Sequence, residues 1–410
     1  MQRLIFVFLV FLLLLQGCYK EEVIYSPEEL GIYDFKMEDS LFIKVLESRK
    51  IRYDIVPVPK MEFEGIEYKL DKMHVRGQTA TNYQRKSFSV NLDKTMAFSD
   101  NPAIGYEKFK LISLVADYTY IENRLAHLLL NEFGLWPLKT FYTQVRINKQ
   151  HQGLYLFIED PEEYLFNNRN AEIVIRRYYR NGVSDFELNT NITNLSSDYY
   201  IDLYRQIYSL LKDYSGEELY NELSKRLNLT NYMRKIIIDF LLKNGDYTDE
   251  ISLYASDKDG MKYFDILPWD YDDIFAEQPH EVGRDWSVGM VYGTRNYETY
   301  DDVLKEIGNK LIFSIEDDID YTIAMDDFLY QKYLEELQFV CATLSNDRIG
   351  QIFEELRTEV EPFYEIPEVI SQSKFDMNAT SIKLFEKNIA EKQEFISNRV
   401  VWINDQISKQ

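Results

Sequence analysis

The sequence predicts an α+β fold of two lobes, the first β-rich and the second helical. Three observations carry that prediction. Residues 41–160 contain four runs that alternate or favour β structure, and residues 161–410 contain six runs of helical period. Of the 410 residues, 45% are hydrophobic, with 32 Tyr and 25 Phe, enough apolar surface for a large core and against a disordered chain. Two Cys cannot form a disulfide framework, and no period of 20–50 residues marks a repeat array.

The N-terminus reads as a targeting segment. Arg3 precedes twelve apolar residues in a row, Leu4 to Leu15, followed by Gln16-Gly17-Cys18. Twelve helical residues span only about 18 Å, too short for a bilayer core. Residues 1–17 are therefore expected to be a signal peptide. The run Leu15-Gln16-Gly17-Cys18 resembles a bacterial lipoprotein cleavage box, which makes Cys18 the lipidation site. An ordinary secretory peptide with an incidental Cys is the alternative. Residues 18–40 then read as a lipid-anchored tether. Cys341 sits in the apolar run Phe339-Val340-Cys341-Ala342 and is expected to be a buried thiol.

In the first lobe, strands are expected at Phe63 to Leu70, Ser87 to Leu92, Phe141 to Ile147 and Gly153 to Glu159. Ile121, Leu125, Leu128 and Leu129 recur at helical spacing, and Gly134 ends that helix. In the second lobe, helices are expected at Ile201 to Leu211, Tyr232 to Leu242, Leu304 to Phe313, Phe328 to Ala342, Ile349 to Thr358 and Ser381 to Ile407. One β-rich insertion is expected at residues 251–267. The cleft between the lobes is the natural ligand site.

Four segments carry candidate chemistry. Arg76-Gly77 opens a loop of small and hydroxyl residues that ends in Arg85-Lys86-Ser87. Its N–H groups and a strand-borne Lys suit phosphate oxygens, though a hairpin with solvated basic ends has the same composition. At 111–126 a strand runs into a helix start, where Asp117 or Thr119 would accept orphan N–H groups. At 243–254 a helix from Thr230 stops at Gly245, and Asp246, Asp249 and Glu250 follow. At 261–273 a strand ends at Pro268. Asp270 and Asp272 then fall on similar sides if the chain stays extended, an arrangement that suits Mg2+ bound to substrate phosphates. Each acidic segment alone also reads as a solvated turn. Their order in the chain is that of protein kinases: a phosphate-holding Lys, an Asp for the acceptor hydroxyl, then an Asp for the metal.

At this point the chain resembles the CotH kinase family, named for a spore coat protein. The resemblance rests on Arg-Gly leading to Lys-Ser at 76–89 and on the Leu-to-Ala run at 111–126. It rests further on Gly-x-Tyr-x-x-x-Glu at 153–159 and the Asn-x-Asp…Leu-Tyr…Pro-Trp-Asp-x-Asp block at 244–272. The helical tail near Arg399 resembles the family more weakly. The resemblance implies a two-lobed, atypical protein-kinase-like fold. It also implies an exported enzyme that transfers the γ-phosphoryl of ATP to Ser/Thr hydroxyls with Mg2+ or Mn2+. By position it makes Asp246 the catalytic base and Lys86 the phosphate lysine, with Arg76 beside it and Glu159 in the segment joining the lobes. Asp270, Asp272 and Glu250 become the metal ligands. Asp249-Glu250 stand where the family usually has Asn, and Glu122 where it usually has Arg, so this site is more acidic.

Competing functions follow from the same residues. The first is a membrane-anchored kinase acting on surface or secreted proteins, at the outer membrane or cell surface. The second is a weak or non-catalytic binding or assembly protein on the same scaffold, suggested by the added acids. A metal-dependent phosphohydrolase ranks third, because the chain has only four His, with His280 the one nearest residue 270. Nucleic acid is not an expected partner: 69 Asp+Glu against 46 Lys+Arg give a charge of −23, which repels phosphate polymers.

Overall fold

The computed structural model describes residues 31–50, 52–77, 79–98, 101–178, 182–246, 251–279, 282, 297–373 and 378–410. The expected signal peptide, Cys18 and Glu250 lie outside the described residues.

Seven strands close into a barrel-like sheet. They are β1 (Ile32–Lys36), β3 (Lys60–Phe63), β4 (Ile66–Arg76), β5 (Ser87–Phe98), β6 (Asn101–Ile112), β7 (Thr140–Ile147) and β8 (Gln150–Glu159). Hydrogen bonding runs β4-β3-β1-β7-β8-β6-β5 and returns to β4, while the short β2 (Tyr53–Asp54) pairs with the end of β4. Within this sheet β1 and β7 pair in parallel, and the other described pairs are antiparallel. The interior is aromatic. Tyr33, Phe35, Phe63, Phe88, Phe109, Tyr155 and Phe157 are all buried, with Phe141 and Phe157 rings 4.5 Å apart and Tyr33 and Phe63 4.6 Å apart. Each such side chain contributes roughly 1.5–3 kcal/mol by burial. Leu41, Phe42 and Val45 of α1 (Asp39–Glu47) join the same core.

Two expectations change here. The tether does not extend to residue 40, because β1 lies between β3 and β7 with Tyr33 and Phe35 buried. The alternation Tyr33-Asp34-Phe35-Lys36 is a strand signal, and its partners lie far along the chain. The expected strand at Phe63 to Leu70 is a hairpin corner. β3 ends at Phe63, and Glu64 and Gly65 turn the chain with φ of 50° and 74°.

β8 explains the unbroken apolar run Leu154 to Ile158. Tyr155 and Phe157 point into the barrel, and Leu154, Leu156 and Ile158 join the larger second core. That core is built by α2 (Glu122–Asn131), α3 (Pro161–Asn168), α4 (Ser197–Asp213), α5 (Gly216–Ser224) and α6 (Leu229–Leu242). It continues through α7 (Tyr300–Ile307), α8 (Asp318–Met325), α9 (Asp327–Thr343), α10 (Asn346–Val360), α11 (Pro367–Ser373) and α12 (Ile382–Ile407). It also holds a four-stranded sheet in place of one β insertion. Here β9 (Ile173–Tyr178) and β10 (Gly182–Leu188) extend β11 (Ile251–Lys258) and β12 (Met261–Pro268), in the order β10-β9-β11-β12. The helix expected at Leu304 to Phe313 starts at Tyr300 and ends before Gly308. Cys341 is buried, and burial pushes its thiol up to about 12.

Candidate active site

The acidic loop is assembled by backbone hydrogen bonds between two distant segments. α6 ends at Leu242, and Lys243 closes it in the left-handed region at φ 53°, a role the sequence suggested for Gly245. Gly245 has a different task. Its N–H donates to the carbonyl of Asp273 at 2.9 Å, and a Cβ there would lie 1.9 Å from Asp273 Oδ2. Only glycine permits that approach. Phe275 N–H donates to Leu242 O at 2.8 Å and Ala276 N–H to Lys243 O at 3.1 Å. These three bonds lay residues 273–276 against 242–245 and bring Asp246 to the acids after Trp269.

The start of α2 holds the other side. Asp117 accepts Thr119 N–H at 3.1 Å and Glu122 N–H at 2.7 Å, so it takes an orphan N–H of the first turn as expected, although the N-cap position itself is Ile121. Buried Asn123 accepts the N–H of buried Tyr271 at 3.0 Å. The chain is not extended here. Asp270 has φ 49°, a left-handed turn that Asp tolerates better than most residues. Asp270 and Asp272 nevertheless come close. The Asp272 carboxyl is held well above the usual carboxylate range, first by Asp270, then by burial, and then by Asp246, Asp273 and Glu122. Residue 272 still meets solvent, so neighbouring negative charge is the dominant cause. Glu122 is pushed up to about 8 by burial and by Asp117, against the opposing pull of Lys392, whose Nζ is 2.5 Å away.

The basic side differs from the expected one. Lys86 is 1% exposed and donates to three backbone carbonyls: Ser48 at 3.0 Å, Thr81 at 2.7 Å and Tyr83 at 2.5 Å. All three of its protons are used, so it ties the 81–83 turn to the end of α1 and is not aimed at phosphate. Burial lowers its pKa to about 8. Arg85 is buried between the rings of Tyr120 and Tyr155, and its guanidinium donates to the carbonyls of Ser113 and Leu154. Gly153 makes room for it, since a Cβ there would lie 2.5 Å from Arg85 Nη1. Arg76 lies over the ring of Trp269, the residue before Asp270, at 5.3 Å from its centre.

Lys110 on β6 is the cation that the sequence reading missed. Its register partner is Ile158, so it faces the helical side while Phe109 and Leu111 fill the barrel. Its Nζ lies 2.7 Å from Asp160, 3.5 Å from Glu162 and 5.6 Å from the Trp269 ring centre. Burial would lower its pKa, but Asp160 and Glu162 more than offset that and raise it. Burial likewise opposes ionisation of Asp160, yet Lys110 draws that carboxyl down to about 2. Alternation along Lys108-Phe109-Lys110-Leu111 was the available signal. Glu159, the residue before Asp160, accepts Lys139 N–H at 3.0 Å at the passage from barrel to helices.

The donor set of the loop is all oxygen and carries excess negative charge, which fits a hard divalent cation. Among the described residues, no three acidic, His or Cys side chains are close enough to form a ready metal cage.

Comparison with known proteins gives the family of the chain. The chain is 22% identical over 262 residues to inner spore coat protein H of Bacillus subtilis (strain 168), an alignment covering 58% of this chain and 69% of that one. The family model described as CotH kinase protein matches residues 73–403, from β4 through Arg399 on α12, and the chain therefore belongs to the CotH kinase family.

Proposed function

We propose that this protein is an ATP-dependent atypical kinase that phosphorylates Ser/Thr hydroxyls, with nucleotide held between the barrel and the helical part in a protein-kinase-like manner. Two observations carry the proposal: Arg76 and Lys110 lie 5.3 and 5.6 Å from the ring centre of Trp269, the residue before Asp270, and Asp246 and Asp270 lie near enough to Asp272 to raise its pKa. Lys110 and Arg76 hold phosphate oxygens in place of Lys86. Asp246 orients the acceptor hydroxyl and takes its proton. Asp270 and Asp272, with Glu250 from beyond the described residues, would hold Mg2+ or Mn2+, which when bound neutralises charge on the phosphates. Two protein carboxylates suffice for such an ion because phosphate oxygens and water complete its shell. Glu159 and Asp160 fix the passage between the two parts, and Asp160 keeps Lys110 charged.

The test is transfer of label from [γ-32P]ATP, with Mg2+ or Mn2+, to the protein itself or to a Ser/Thr-rich substrate. Labelling by wild type that is abolished in Asp246→Asn supports the assignment. Equal labelling by both would refute it. Export and anchoring through Cys18 belong to the same proposal. Radiolabelled palmitate should mark the wild type in bacterial cells, and its persistence in Cys18→Ser would exclude that anchor.

One observation favours a non-catalytic binding role: Glu122 and Asp273 add negative charge beside Asp272. Metal-dependent stabilisation by ATP together with turnover would rule that role out.

A further inference from the structure

Lys392, Phe395 and Arg399 recur on α12 at spacings of three and four, so they share one helix face. Together they grip three segments of the acidic site. Lys392 pairs with Glu122 at the start of α2, and its Nζ is 4.3 Å from the Phe275 ring centre. Phe395 meets the Phe275 ring edge to face, with centres 5.2 Å apart. Arg399 donates from Nε at 2.9 Å and from Nη2 at 2.6 Å to one acceptor, the carbonyl of Phe240.

The three gripped segments build the site. α2 carries Asn123, which holds the Tyr271 N–H. Phe275 follows Asp272 and Asp273. Phe240 lies in the last turn of α6, six residues before Asp246. The guanidinium of Arg399 also lies over the Phe240 ring at 4.5 Å and the Trp402 ring at 5.5 Å. A cation suits the negative end of a helix. Burial draws this guanidinium down to about 10, a cost that a helix serving only to pack would avoid with an apolar side chain.

We propose that α12 is a positioning element for the acidic site and that Arg399 is its principal positioning residue. By fixing the end of α6, the guanidinium sets the 242–245 turn against 273–276 and thereby the place of Asp246. The proposal rests on the kinase assignment for its activity readout only.

Hydrogen exchange on full-length protein without nucleotide tests it first. In Arg399→Ala, the amides of Gly245, Phe275 and Ala276 should exchange at least about tenfold faster, while the Leu125 amide in α2 keeps its rate. In the transfer assay, kcat should fall about 100-fold with the KM for ATP within twofold, because misplacement rather than lost binding is the defect. Arg399→Lys keeps the charge but loses the double donation to one carbonyl, so it should show the same changes in smaller measure. It replaces the Ala variant if that one does not fold. Unchanged exchange at the three amides, or equal acceleration throughout the chain, overturns the proposal. A wild type that exchanges as expected but transfers no phosphate would refute the kinase assignment and leave the positioning role standing.

Discussion

Lys86 stands just before β5 and Lys110 lies on the neighbouring β6, yet their surroundings differ. Lys86 is buried and donates to three carbonyl oxygens. Lys110 is paired with Asp160 and stands beside Trp269, one residue from Asp270. A cation whose donors are all matched by backbone oxygens serves the fold. A cation held by carboxylates at the edge of an acidic loop keeps its charge where a phosphate would need it. The acidic loop shows the converse. Its carboxylates repel one another, and that repulsion raises the Asp272 pKa.

The largest effect is expected on the acidic side. Asp270→Asn keeps a side chain that tolerates the left-handed backbone at φ 49° and removes the charge that most perturbs Asp272. Phosphate transfer should fall about 1,000-fold or more, with the melting temperature unchanged or raised. Retained transfer would move the chemistry elsewhere.

A stability effect is expected on the other side. Lys86→Met leaves the carbonyl of buried Thr81 and those of half-buried Ser48 and Tyr83 without their donor, and should cost about 3 kcal/mol in urea unfolding. Transfer by the folded fraction should stay within threefold. A stable variant that had lost transfer would return Lys86 to the phosphate site.

A smaller effect separates charge from capping at Asp160, which pairs with Lys110 and also accepts the Glu163 N–H at 3.1 Å. Asp160→Asn keeps an acceptor for the cap and removes the charge. The folded pKa of about 2 lies below the ordinary 3.8, so ionised Asp160 stabilises the fold above pH 3.8 and that stability is lost as pH falls towards 2. The variant should be roughly 2 kcal/mol less stable at pH 7, with the gap closing between pH 4 and pH 2. A gap independent of pH would assign the loss to packing alone.

The acidic part of the site was readable because its residues are close in sequence. Asp246 follows a helix end, and Asp270 and Asp272 follow a strand end. The basic part was not, because a Lys in a hydroxyl-rich loop looks the same whether phosphate or backbone carbonyls face it. Lys110 was hidden for a related reason. Alternation gives its face, but only the closed barrel reveals which face meets the helices. The sequence hides β1 within a polar stretch because five residues make a weak signal, and its partners β3 and β7 are remote in sequence. Lys392 and Arg399 reach the site from over 100 residues away, and their spacing on α12 gives a shared face but not what that face meets.

The most direct measurement is calorimetric titration of ATP with Mg2+ into wild type, Lys110→Met and Lys86→Met. Affinity about 100-fold weaker in Lys110→Met, as expected for a charged phosphate contact, with Lys86→Met within threefold of wild type, is the predicted result. Wild-type affinity in Lys110→Met, together with lost binding in Lys86→Met, would contradict the placement of the phosphates beside Trp269.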